Sequence, residues 1–255
     1  MSGKILELAV HTKDFDALRV IDNVAFSLSS GQIVTLVGPS GCGKSSLLRI
    51  IAGLDTDYRG RVLINGQNAH LHSGDVGFIF QEPRLLPWLT VAENVGFELG
   101  KAGARHPRVG QLLAEVGLGD FADAYPKQLS GGMAQRAAIA RGLFTQPGLL
   151  LLDEPFSAVD AFTRMRLQDL LLSIAARRKT TLLMVTHDVN EAAYLSDRVI
   201  VMASGPGRIS GEIEVDLPRP RDRRNPELAG KEAEILTLLD SARHDVLGLP
   251  ETLAA

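Results

Sequence analysis

Along the first half of the chain the apolar residues fall in short runs rich in β-formers, Ile5 to Val10, Gln32 to Val37, Val62 to Ile64 and Val76 to Phe80, separated by Gly, Asn and Asp turn signals. These runs predict strands. After Pro87 the period changes: Val91, Val95 and Phe97, then Leu112, Leu113, Val116 and Leu118, then the segment MAQRAAIARGLF recur at helical spacing until Pro147. A helical subdomain is predicted at about 87–146. Strand-like runs return at Leu149 to Leu152, Thr181 to Val185 and Arg198 to Met202, with helices predicted at about 162–177 and 190–196. Strand and helix in alternation predict an α/β fold with a mainly parallel sheet covered by helices.

One domain is expected over 1–216, with the helical subdomain inserted in it, and a short linker and helix over 217–255. The stretch LPRPRDRRNP, Leu217 to Pro226, reads as a linker, and its arginines at 219–224 read as a solvated connector rather than an anion site. A weak amphipathic helix is expected around Lys231 to Arg243.

Composition narrows the classes. With 45% hydrophobic and 22% charged positions the chain has the make-up of an ordinary globular protein. Lys+Arg 27 against Asp+Glu 30, a net charge of −3, gives no ground for a nucleic-acid partner. No run approaches the ~20 apolar residues that cross a bilayer, and the charges within MSGKILELAVHTKD break the apolar core a signal peptide needs. A cytoplasmic location is expected. The single cysteine, Cys42, cannot form an internal disulfide.

The segment QIVTLVGPSGCGKSSLLRIIAGL carries G-x-x-x-x-G-K-[ST] at Gly38 to Ser45, with a strand before it and an apolar-periodic helix after it. Gly38, Gly41 and Gly43 allow a tight turn whose backbone N–H groups point inward, and the helix start adds its partial positive charge. A triphosphate fits such a cradle. Lys44 would reach the β- and γ-phosphates and the Ser45 hydroxyl would ligate Mg²⁺. The Leu149 to Leu152 run ends in Asp153 and Glu154, at the strand tip where α/β folds hold ligands: Asp153 as the Mg²⁺-linked carboxylate, Glu154 as the group that polarises the attacking water. The strand TLLMVTHD ends in His187, placed to donate to the γ-phosphate and to orient Glu154. Gln81 ends another strand and suits a metal or water contact. His70 and His72 lack a third ligand and read as surface residues.

LSGGMAQRAAIARGLF, Leu129 to Phe144, opens with Ser130 as a helix N-cap and two glycines. With one P-loop already present, a second anion-binding helix start points to a nucleotide brought by another molecule. On these motifs the chain resembles the ATPase subunit of an ATP-binding-cassette (ABC) transporter, from about Ile5 to Pro220 and in the family's motif order.

The resemblance implies a P-loop NTPase fold with an antiparallel β subdomain. It implies a phosphate loop of Gly38, Pro39, Ser40, Gly41, Cys42, Gly43, Lys44, Ser45 and Ser46, a glutamine loop centred on Gln81 that also reaches the metal, and a signature in which Ser130, Gly131, Gly132 and Gln135 meet ATP. It implies a D-loop, SAVD, with Asp160, and His187 as the switch histidine. Phe15 stands where similar proteins stack an aromatic on adenine, the plain alternative being a strand-end aromatic. The stretches Gln81 to Val95 and Met202 to Asp222 look like the nitrate/sulfonate/taurine-type importers. That implies two ATP molecules sandwiched between two copies of the chain, membrane-spanning permease subunits contacted near Gln81 to Val95, and a substrate-binding protein acting through them. The chain would then sit on the inner face of the membrane through the permease. An exporter or lipoprotein-releasing ATPase, or a non-transport ABC ATPase, is the alternative.

Overall fold

The strand expected at Ile5 to Val10 is longer in the computed structural model, which describes residues 3–69 and 74–247: β1 runs Lys4–Phe15. It pairs antiparallel with β2 (Leu18–Ser29), matching Leu8 with Phe26 and Val10 with Val24, and on its other side with β4 (Arg59–Ile64), which pairs with β5 (Gln67–Asn68). Strand β2 is not among the expected strands, although Val24, Phe26 and Leu28 alternate with Ala25 and Ser27. Its buried positions run Ile21, Val24, Phe26, Leu28, and Asn23 at a φ of 53° breaks the alternation in between.

Contacts divide the chain into two units, Met1–Ser73 with Thr181–Ala255, and Gly74–Thr180. The first holds the antiparallel sheet and the strands ordered β10-β9-β3-β8. Here β3 (Ile33–Val37) lies parallel to β8 (Thr181–Val185) and β9 (Arg198–Ala203), while β10 (Arg208–Glu214) returns antiparallel to β9. All five residues of β3 and of β8 are buried, which is why they read as nearly continuous apolar runs, interrupted only by Thr35 and begun by Thr181. The unit's helices are α1 (Lys44–Ile51), α6 (Val189–Leu195) and α7 (Pro226–Leu247).

The second unit pairs β6 (Val76–Ile79) parallel with β7 (Leu149–Asp153) and adds α2 (Val91–Val95), α3 (Pro107–Glu115), α4 (Gly131–Gly142) and α5 (Ala161–Arg178). The helical run expected from Val91 to Leu118 is split by a 3₁₀ stretch, Phe97–Arg105. Gly96 and Gly103 cause the split: their backbones touch so closely that a Cβ on Gly103 would sit 1.8 Å from the Gly96 carbonyl oxygen.

Of the arginines at 219–224, expected to form a solvated connector, Arg219, Arg223 and Arg224 are exposed and Arg221 departs from that expectation. Arg221 is 7% exposed and donates to the carbonyls of Ala193, Tyr194, Ser196, Val215 and Leu217. Unpaired carbonyls where α6 ends supply the acceptors that a charge count along the sequence cannot see. The tail helix also starts earlier than expected, at Pro226, a residue tolerated in a first helical turn. Among the described residues no helix is long and apolar enough to cross a membrane.

Candidate nucleotide site

Gly38, Pro39, Ser40, Gly41 and Cys42 carry the chain from the buried strand β3 into α1. The helix starts from Gly43 in the left-handed region, at a φ of 91°, where a Cβ would come within 2.9 Å of Ile21. No side chain caps α1, so its first N–H groups are available to an anion. Lys44 is buried, and its Nζ donates to the carbonyls of Gly38 and Pro39, each at 2.8 Å. Cys42 is buried beside it, and burial pushes its thiol pKa up against the opposing pull of Lys44. A buried thiol of raised pKa is a packing residue and a poor nucleophile. Ser45 and Ser46 follow in the first turn, both half-buried.

In the same unit Phe15 ends β1 with 46% of its surface exposed and the Lys13 ammonium 4.6 Å from its ring centre. Lys13 itself is fixed by Asp55 and by the Asp57 carbonyl. His187 follows β8 and is exposed, between two anchored neighbours. The buried Thr186 hydroxyl donates to Glu191 and accepts from the Asp188 N–H, and Asp188 caps α6.

In the second unit, β7 ends in Asp153, 8% exposed, and Glu154. Glu154 has a φ of 44°, in a region that costs a non-glycine residue roughly 1–2 kcal/mol. Ser157 holds it there, donating to the Glu154 carbonyl from its N–H at 3.2 Å and its hydroxyl at 3.1 Å. Gln81 Nε2 donates to Glu154 Oε2 at 3.4 Å, so two residues far apart in sequence meet at one carboxylate.

Ser130 caps α4, accepting from the Met133 N–H. Gly131 is exposed, and a Cβ on Gly132 would lie 2.4 Å from the Thr163 methyl. Gly132 therefore lets the start of α4 pack against the start of α5. Asp160 caps α5, and hydrogen bonds from Thr163 and from the Phe162 N–H hold its pKa below the usual carboxylate value. Gln135 lies deeper along α4, buried, with no partner for its Nε2. His70 and His72 lie outside the described residues.

Two residues that the sequence reading passed over organise the segment after Gln81. Asn94, fully buried, accepts from the Leu86 N–H and donates to the carbonyls of Leu86, Leu89 and Thr90. Arg141, in the last turn of α4, donates to the carbonyls of Pro83 and Arg84 at 2.8 Å each. Burial lowers the Arg141 pKa. Neither position stands out in a linear pattern, because their acceptors are backbone groups of a loop. Asn94→Ala is expected to loosen Arg84 to Thr90 and destabilise the fold by about 2–3 kcal/mol, the cost of stranding several buried backbone groups. Urea unfolding checks it.

Among the described residues no group of three or more His, Cys, Asp or Glu side chains is placed to hold a metal. The oxygen donors expected for Mg²⁺, a carboxylate at Asp153, the Gln81 amide and the Ser45 hydroxyl, are of the hard type that ion takes, the first two in the second unit and Ser45 in the first. They do not fit an ion that needs a protein cage.

A glycine loop on a buried parallel strand, an uncapped helix behind it and an Asp-Glu pair ending a second strand define a P-loop ATPase. The family profile described as ABC transporter matches residues 21–157, and the chain belongs to that family. A Burkholderia cenocepacia (strain HI2424) protein named Aliphatic sulfonates import ATP-binding protein SsuB 2 is 54% identical over 254 residues, 98% of this chain and 94% of its own length. One from Pseudomonas savastanoi pv. phaseolicola, named Aliphatic sulfonates import ATP-binding protein SsuB 1, is 58% identical over 242 residues, 95% of this chain and 99% of its own. Among solved structures, a dimeric bacterial ABC transporter cassette matches with a TM-score of 0.74 and 31% identity, over 84% of this chain and 100% of that one. A dimeric cassette in a post-hydrolysis state, bound to ADP and Pi, matches with a TM-score of 0.72 at the same identity and coverage. The chain is an ATP-binding, ATP-hydrolysing subunit of the ABC type.

Proposed function

We propose that this ATPase powers an importer for aliphatic sulfonates, as a pair of identical copies bound to membrane-spanning permease subunits and fed by a substrate-binding protein. The observation that carries this reading is identity of 54–58% over nearly the full length to relatives named for that import. It favours import over the exporter, lipoprotein-releasing and non-transport alternatives.

The amides of Gly38 to Ser46 and Lys44 hold the triphosphate, and Phe15 stacks on the base. Ser45, Asp153 and Gln81 would hold Mg²⁺, which would supply charge neutralisation to the phosphate chain. Glu154 takes the proton of the attacking water, Gln81 fixes the Glu154 carboxylate, and His187 donates to the γ-phosphate. Ser130, Gly131, Gly132 and Asp160 of one copy close on the nucleotide held by the second copy, while Gln135, expected to meet ATP, is buried along α4 and supports that surface from within. The closed pair lies on the inner face of the membrane through the permease. Uptake of a radiolabelled alkanesulfonate by cells with and without the chain tests the substrate. Loss of that uptake, restored by the wild-type chain and not by Glu154→Gln, is expected; undiminished uptake without the chain would overturn it.

Phe15→Ala is expected to raise the Kd for ATP by about 3–10-fold, a stacking contribution of roughly 0.5–1.5 kcal/mol. Isothermal titration measures it, and unchanged affinity assigns Phe15 to the strand end alone.

Trp88 lies 69% exposed on the segment that Asn94 and Arg141 pin from behind, with Leu85, Leu86 and Leu89 half-buried beside it. A large aromatic on a fixed backbone is a suitable anchor for a permease helix. Trp88→Ala is expected to weaken assembly with the permease by about tenfold or more, at 1–2 kcal/mol, while ATP binding by the subunit stays intact. Pull-down and nucleotide titration on one preparation check both; unaltered assembly removes Trp88 from the contact.

A further inference from the structure

The segment from Leu217 through α7 is built around one short helix. Helix α6 starts two residues after His187 and ends at Leu195, and three alternate arginines of the extended segment before α7 grip that end. Arg219 donates to the Leu195 carbonyl and pairs with Asp197. Arg221 donates through Nη1 to the carbonyls of Ala193, Tyr194 and Ser196 at 2.9, 2.9 and 2.7 Å. Arg223 stacks on Tyr194, its guanidinium carbon 3.6 Å from the ring centre. These groups meet carbonyls that α6 leaves without intrahelical partners, at the negative end of its dipole.

The first turn is held as well. With its side-chain amide turned to donate, Asn190 reaches both carboxylate oxygens of Glu232, on α7, at 2.7 and 3.0 Å. Burial and then the nearby Asp188 charge raise the Glu232 pKa. Helix α7 also packs on β9 and β10, with Leu228, Ile235 and Ala242 buried. The tail thus fastens both ends of α6 to the sheet.

A seven-residue helix has little stability of its own, so its position is set by what grips it. Its N-cap, Asp188, is the residue after His187, and its Glu191 accepts from Thr186, the residue before. Any tilt of α6 is transmitted to His187 through both neighbours.

We propose that the segment from Leu217 through α7 acts as a positioning clamp on α6 that sets His187 for ATP turnover, with Arg219, Arg221, Arg223 and Glu232 as positioning residues. This rests on the role of His187 proposed above. The contacts described for these four run to α6, to Asp197 and to the segment Val215 to Leu217, so the expected effect falls on kcat and not on nucleotide affinity.

The test uses the full chain with Arg219→Ala, Glu232→Ala and Arg221→Lys, the last keeping the charge in a side chain that cannot serve all five carbonyls. Each is expected to lower kcat by about fivefold or more with KM for ATP within about twofold, the signature of a displaced group rather than a lost binding contact. Amide hydrogen exchange across 186–195 is expected to speed up in each. In a His187→Ala chain the same substitutions are expected to add no further loss of kcat, because they act through a side chain no longer there. Unchanged exchange, or losses that multiply with His187→Ala, would overturn the clamp. Full turnover by His187→Ala alone would instead remove the role of His187, and the exchange measurement tells that failure from the other.

Discussion

Glu154→Gln is expected to bind ATP as the wild-type chain does and to hydrolyse it about 10²–10⁴-fold more slowly, the usual worth of a positioned general base. The substitution is nearly isosteric. Its amide oxygen still accepts from Gln81, and the two bonds from Ser157 run to the residue-154 carbonyl, so the left-handed turn after β7 is kept. What goes is the group proposed to take a proton from water. The phosphate loop is built from other residues, and with hydrolysis blocked the ATP-bound pair should persist. Single-turnover kinetics and size-exclusion chromatography with ATP and Mg²⁺ read the two halves of the result. Near-normal turnover would show that Glu154 is not the base, whatever the chromatography gives.

The parts of the site visible in the sequence are those whose chemistry is written in consecutive residues. Gly38 to Ser45, Asp153 with Glu154, and Ser130 with its two glycines are local motifs, each on the strand end or helix start that the apolar pattern predicts. The buried parallel strands were legible for a related reason: β3, β7 and β8 are buried on both faces and mostly apolar, so they need no phase. In strand β2 the alternation of Val24, Phe26 and Leu28 is visible, but Asn23 shifts it by one residue from Ile21, so the strand's full length is not. The function of Arg221 was hidden for a deeper cause. Its partners are backbone carbonyls 4–28 residues away in the chain, and a carbonyl leaves no mark in a sequence. Arg141 and Asn94 share that cause, and a buried polar side chain bonded mostly to backbone is the kind of residue that pattern reading passes over.

Lys44→Ala is expected to raise the Kd for ATP by about a hundredfold, through two losses at once. The first is the side-chain cation for the β- and γ-phosphates, charge-assisted bonds worth roughly 1.5–3 kcal/mol. The second lies in the loop itself: Lys44 Nζ is buried and bonds the carbonyls of Gly38 and Pro39 at 2.8 Å each, so the ammonium proposed to meet phosphate also closes the turn. Losing it leaves those carbonyls unpaired and lets the loop spread, which lowers stability by about 1–3 kcal/mol in the absence of nucleotide. The two losses separate by experiment. Lys44→Arg keeps a cation with several donors on a longer stem, so its stability should fall less than that of Lys44→Ala while its ATP affinity still falls, because a planar guanidinium cannot take the place of a compact ammonium. Isothermal titration with ATP and thermal melts of both variants give the four numbers. Unchanged affinity in Lys44→Ala would show that Gly38 to Ser46 is not the phosphate site, and an equal drop in stability for both variants would show that the carbonyl bonds do not close the loop.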